Sequence, residues 1–206
     1  MKYIGTRNKE IQATASQAIL KGICEDGGLF IPEKIPSMDQ PLENLINLNY
    51  RDLAYEVMKL YFTDFTQEEL RHCINGAYDE KFDDSAIAPL KKKGDVSFLA
   101  LFHGRTIAFK DMALSILPYL MKTAARKNKI DKEIVILTAT SGDTGKAALE
   151  GFAGVDGTRI IVFFPEDGVS PVQKLQMTTQ EGRNTCVCGI RGNFDDAQSA
   201  VKSRCV

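Results

Sequence analysis

Three short runs, EIVILTAT (133–140), TRIIVFFP (158–165) and NTCVCGI (184–190), constrain this chain more than any other feature. Each is apolar and β-branched almost throughout, the pattern of strands buried on both faces. Helical candidates lie between and after them: DTGKAALEGFAG, SPVQKLQMTTQEG and FDDAQSAVKSR. Strand and helix alternate three times, which predicts a parallel α/β sheet with right-handed crossovers. The chain stops just after the last helical candidate with nothing to close the layer, so this half reads as a fragment of a larger sheet.

The first half has another character. Ser16 is expected to cap a short helix through Ile23, and EDGGLFIP reads as a turn followed by a strand. Asn49 opens a second helix, YRDLAYEVMKLYF. Thr66 and Glu69 have capping-box spacing ahead of a third, through about Tyr78. APLKKKGD reads as a solvated loop and VSFLALF as a strand. The expected organisation is a small, mostly helical amino-terminal domain over 1–95, followed by a partial α/β domain over 96–206.

A formal net charge of −1 leaves no electrostatic footprint for nucleic acid or an anionic membrane. No run approaches the eighteen apolar residues of a spanning helix, and the start MKYIGTRNKE lacks a signal's apolar region. Cys24, Cys73, Cys186, Cys188 and Cys205 are an odd, scattered set that suits a reducing cytoplasm. Cys186 and Cys188 share one face of a strand. With only His72 and His103 in the chain, they are expected as buried small side chains and no metal is expected.

Two segments could carry chemistry. In FHGRTIAFKDMALSILPYLMKTAARK, the residues Phe109, Met112, Ala113, Ile116, Leu117, Leu120, Met121 and Ala124 repeat at helical spacing, with Pro118 demanding a local kink. Lys110 falls at the front of this stripe. The positive end of a helix and apolar neighbours both favour the neutral amine, the form that attacks a carbonyl carbon. Asp111 pulls the other way, and a snorkelling surface lysine is the plain alternative. In ILTATSGDTGKAALEGF, a buried strand ends in TATSGDTG and a helix begins at once. Gly142 and Gly145 permit a tight turn, free N–H groups at the helix start suit a phosphate or carboxylate, and Thr140, Ser141 and Thr144 add hydroxyls. A P-loop is excluded, because Thr140 stands where that motif needs Gly and Ala147 where it needs Ser or Thr. An ordinary strand-to-helix turn stays open, although ligands in open α/β sheets bind beyond the carboxyl ends of strands.

Taken together, YIGTRN, EDGGLFIP, LFHGRTIAFKDMAL, TATSGDTGKAALEGF and GNFDDAQSAVK resemble the threonine synthase family, nearly end to end and in the right order. The resemblance implies an amino-terminal domain joined to part of a tryptophan-synthase-β-like, fold type II domain that binds pyridoxal 5′-phosphate. It implies that Lys110 holds the cofactor as an internal aldimine. It also implies that Thr140, Ser141, Gly142, Asp143 and Thr144 bind the substrate carboxylate, with Asp143 near the cofactor's phenolic oxygen. The reaction implied converts O-phospho-L-homoserine and water to L-threonine and phosphate, in the cytoplasm, by a monomer or weak homo-oligomer. Arg105 departs from the family's usual Pro, and Asp143 from the Asn of relatives that act on other amino acids. The cofactor's phosphate loop is expected beyond residue 206, so the 206 residues alone are expected to be inactive. A threonine or serine dehydratase of the same fold, or a non-catalytic homologue binding a phosphorylated ligand, is the alternative. The DGGLFIP-type domain and the retained Lys110 weigh against them.

Overall fold

In the computed structural model, which describes residues 1–203, the elements follow one another as β1 (Tyr3–Gly5), β2 (Gln12–Ala13), α1 (Ala15–Lys21), β3 (Phe30–Pro32), α2 (Tyr50–Tyr61) and α3 (Gln67–Ala77). The hairpin β4 (Leu90–Lys93) and β5 (Val96–Leu99) comes next, then α4 (Asp111–Leu114) and α5 (Leu117–Lys127). The last part is β6 (Ile134–Ala139), α6 (Asp143–Phe152), β7 (Thr158–Pro165), α7 (Pro171–Thr178), β8 (Thr185–Ile190) and α8 (Phe194–Lys202). The chain divides into two units that interleave in sequence: one comprises 1–80, 85–87 and 119–131, and the other 81–84, 88–118 and 132 onward.

In the first unit, β1 is central to an antiparallel sheet of order β2-β1-β3, with Tyr3 opposite both Ala13 and Pro32. EDGGLFIP is the expected turn and strand, with Gly27 at φ 76. The cap of α1 is Thr14 rather than Ser16. Thr14 Oγ1 accepts from Gln17 N, and Gln17 Oε1 accepts from Thr14 N. Ser16 is buried within the first turn instead, its N–H donating to Asp64 Oδ2 at 3.1 Å and its hydroxyl accepting from Asn128 Nδ2 at 3.0 Å. Asn49 and the Thr66–Glu69 capping box open α2 and α3 as expected. Leu70, Cys73, Ile74 and Ala77 form the buried stripe of α3.

Glu69 also accepts from Lys127 Nζ at 2.9 Å and Arg126 Nη2 at 3.4 Å. Desolvation pushes its carboxyl up, but Lys127, the Thr66 N–H and Arg126 outweigh that and hold it below its ordinary value. A depressed folded-state value means stability that is present above the unfolded value and lost as pH falls through the folded one. Glu69→Gln should therefore lower stability at neutral pH by on the order of 1 kcal/mol, seen as a lower melting temperature. The gap to wild type should narrow as pH falls below the ordinary glutamate value of about 4.3, in melts recorded across pH.

In the second unit, Leu90–Lys93 is a strand and not the expected loop. Gly94, at φ 59, turns the chain so that Lys93 pairs with Val96 and Leu90 with Leu99. The run lacks apolar alternation because both strands are exposed. The turn creates this strand. The remaining three strands form the predicted parallel sheet, order β6-β7-β8, with Leu137 beside Ile161 and Phe163 beside Cys188. On β7, Ile160, Val162 and Phe164 are buried at 0, 0 and 2 % exposure. Ala147, Ala148, Leu149 and Phe152 give α6 its buried face.

Cys186 and Cys188 do share one face of β8, with sulfurs 3.8 Å apart, but Cys186 is exposed because β8 is an edge strand. Burial and the Cys186 neighbour push the Cys188 thiol up. Cys205 lies outside the described residues. Among the described residues no group of three or more metal-ligating side chains occurs, and no helix is long and apolar enough to cross a membrane.

Candidate functional site

The two segments singled out in the sequence meet at one cavity of about 420 Å³. Phe109 and Lys110 line it from one side, and Thr140, Ser141, Gly142, Asp143 and Thr144 from the other. The cavity lies beyond the carboxyl end of β6, where an open α/β sheet places ligands.

The lysine segment is not one long helix. α4 ends at Leu114, Ser115 and Ile116 form a turn, and α5 restarts with Pro118 as its second residue. A proline there lacks only an N–H that the first turn would leave unpaired anyway. Lys110 occupies the N-cap of α4, one position before the first helical residue, and is half-buried. The expected stripe is broken at its front, where Phe109 is 59 % exposed. Lys110 Nζ stands 4.3 Å from the Phe109 ring centroid and, among the described residues, has no ion pair or hydrogen bond. Lys146 contrasts with it. Its Nζ donates to Gln180 Oε1 and lies 3.8 Å from Glu150 Oε2. Lys110 is therefore the uncommitted amine at the cavity.

The segment in front of Lys110 is anchored twice. His103 Nδ1 is 2.6 Å from Asp83 Oδ1, and Asp83 N–H donates to His103 O at 3.0 Å. Asp111 is buried, with both carboxylate oxygens bound by Thr106. Arg105, the departure noted in the sequence, does not line the cavity. Its Nη1 donates to Glu150 Oε1 of α6 at 3.3 Å, an exposed pair of small energetic weight.

The loop before α6 is organised from within by Thr140, which is 2 % exposed. Its Oγ1 accepts from Gly142 N and Gly145 N and donates to Gly142 O, all at 3.0 Å. One donor and two lone pairs are then used up. The Thr140 hydroxyl holds the loop from within. Gly145 is required by the same packing, since a Cβ there would lie 2.3 Å from Thr140 Cγ2. Ser141, Asp143 and Thr144 are exposed, and among the described residues their backbone N–H groups have no partner. These amides, at the start of a ten-residue helix, form the electropositive wall of the cavity.

Two lining residues were not legible in the sequence, Gln173 and Phe194. Gln173 belongs to the Ser170 capping box of α7, and its Nε2 reaches Asp143 Oδ1 at 3.0 Å. Its amide also packs on Gly142, where a Cβ would sit 2.4 Å from Gln173 Nε2. SPVQ carries a capping signal that foretells the helix but not what the Gln side chain meets.

Residues 2–78 match the family model described as "Threonine synthase N terminus". The chain is 38 % identical over 217 residues to threonine synthase of Eremothecium gossypii, covering 98 % of this chain and 42 % of that one. It is 37 % identical over 206 residues to threonine synthase of Pseudomonas aeruginosa, covering 98 % and 43 %. The crystal structure of PLP-bound threonine synthase from Brucella melitensis superposes with a TM-score of 0.87 at 36 % identity, covering 98 % of this chain and 44 % of that one. The chain belongs to the threonine synthase family. It spans less than half the length of the threonine synthases it matches. Its α/β architecture is the fold type II arrangement expected from the motifs.

Proposed function

We propose that this chain carries the lysine-bearing part of a threonine synthase active site, acting on O-phospho-L-homoserine with pyridoxal phosphate to release L-threonine and inorganic phosphate. The observation that carries the reading is the uncommitted Lys110 amine across one cavity from the unpaired amides of Ser141, Asp143 and Thr144. A primary amine opposite an anion-binding helix start fits an aldehyde cofactor and an α-amino acid carboxylate. When bound, pyridoxal phosphate supplies an electron sink conjugated to the substrate's Cα.

The protein's own groups supply the rest. Lys110 Nζ is the group that holds the cofactor's carbonyl carbon, and the same amine, when free, is the base placed to move the proton at Cα. The Ser141 and Thr144 hydroxyls and the three amides orient the substrate carboxylate. Asp143 is held by Gln173, which gives its carboxylate a donor and would moderate its repulsion with the phenolic oxygen of a bound cofactor. Thr140 and Gly142 belong to the site as the frame of that loop. The domain division that accompanies this reading, 1–95 and 96–206, is supported in its first part by the family match over 2–78. A cytoplasmic location accords with the free, buried Cys24 and Cys73.

Phosphate release and threonine formation from O-phosphohomoserine, measured on an enzyme extended to the length of its relatives, test the reading directly. Activity on threonine or serine with ammonia release, and none on the phosphorylated substrate, would turn it into the dehydratase alternative. Thr144→Val should weaken substrate binding by roughly 1–3 kcal/mol, the cost of a lost polar partner. Cofactor absorbance should stay unchanged in the same titration.

A further inference from the structure

Asp111 is 4 % exposed, and a carboxylate so placed needs donors on both oxygens. Both come from one residue. The Thr106 N–H donates to Oδ2 at 2.8 Å and the Thr106 hydroxyl to Oδ1 at 2.6 Å. Gly104 fits closely against the same carboxylate, since a Cβ there would lie 2.5 Å from both Asp111 Cβ and Oδ2. The carboxylate therefore ties the residue just after Lys110 to a residue just before it.

The chain in between adopts a conformation it would not choose alone. Ile107 has φ 61 although it is β-branched, and its side chain is 72 % exposed. Such a residue is strained, and no burial of its side chain offsets that. Its N–H closes a turn onto Gly104 O at 3.0 Å. Backbone held this way persists only where its surroundings over-determine it. Here the Thr106–Asp111 tie does so.

We propose that Asp111 is a positioning residue for Lys110: through Thr106 it holds residues 104–110 in the strained turn that presents the Lys110 amine to the cavity. The proposal rests on the reading of Lys110 as the cofactor-bearing amine and adds what places it. It also gives the Asp of FKD a task distinct from pairing with the lysine, since both its oxygens are bound to Thr106.

Thr106→Val preserves the side chain's shape and removes the hydroxyl donor, whereas Thr106→Ser retains it. Each variant of the chain is treated with pyridoxal phosphate and borohydride, and the lysines carrying the label are mapped. In parallel, the rate of acylation of Lys110 is measured without cofactor. Wild type and Thr106→Ser should place the label on Lys110. Thr106→Val should lower the Lys110 share about tenfold and alter its acylation rate, with the far-ultraviolet circular dichroism unchanged. An unchanged share and rate in folded Thr106→Val would overturn the proposal, even with a lower melting temperature. Hydrogen exchange on the wild type needs no variant: the Thr106 and Ile107 amides should be protected, and free exchange at both would overturn the tie. Wild-type label on another lysine would instead overturn the reading of Lys110 itself, and this proposal with it.

Discussion

Lys110→Ala, made in an enzyme extended to the length of its relatives, is expected to abolish borohydride-fixed cofactor and to reduce phosphate release from O-phosphohomoserine by roughly 10³-fold or more. Two roles are lost together: the amine that holds the cofactor's carbonyl and the base at Cα. No neighbouring residue replaces it, because Lys110 is the one amine among the described residues lining the cavity. Lys146 sits in the next turn of the facing helix, but Gln180 and Glu150 hold its ammonium. Lys146→Ala should therefore leave the label on Lys110 and change mainly stability or substrate affinity. A small primary amine added to Lys110→Ala should restore part of the activity, since truncation leaves room for it. Label on Lys146, or turnover by Lys110→Ala near that of wild type, would remove Lys110 from the chemistry.

Gly151→Ala should also cost activity, without touching the cavity. Gly151 lies on α6, where a Cβ would stand 2.3 Å from the Leu114 carbonyl oxygen of α4. The two elements that carry the site, α4 behind Lys110 and α6 behind the TSGDTG loop, thus meet with backbone against side-chain-free backbone. A carbonyl cannot rotate aside as a side chain can, so the added methyl must separate the helices. Overpacking of this kind costs about 1–3 kcal/mol, partly offset by the roughly 1 kcal/mol by which Ala favours a helix interior. The functional loss should exceed the loss of stability, because a shift near 1 Å between reacting groups costs about 10²-fold. In an enzyme extended to the length of its relatives, Gly151→Ala should melt within a few degrees of wild type while kcat falls by about that factor. Wild-type kcat would show that the approach of α4 to α6 does not set the lysine's position.

The sequence by itself determined the elements that depend on neighbours along the chain. The runs at 134–139, 158–165 and 185–190 became parallel strands, because short, apolar, β-branched stretches favour strands, although of the three only β7 has fully buried residues. The Thr66–Glu69 box and Asn49 became helix starts, because a cap needs only a partner three residues on. Lys110 and residues 140–144 were legible as candidates for the same reason, each standing where a helix begins.

Tertiary structure decided whatever needed a distant partner. Thr14 and Ser16 are both plausible caps from local chemistry, and Asp64 and Asn128 draw Ser16 into the interior. Leu90–Lys93 is a strand because Gly94 folds it onto β5, although no hydrophobic period marks it. The Thr140 hydroxyl bonds Gly142 and Gly145 and so shapes the loop it belongs to. Gln173 enters the site because α7 brings it to Asp143, thirty residues earlier in the chain. Period and capping are short-range and survive in one dimension. Which side chain meets which is set by how the helices cross the sheet, and only the folded chain contains that information.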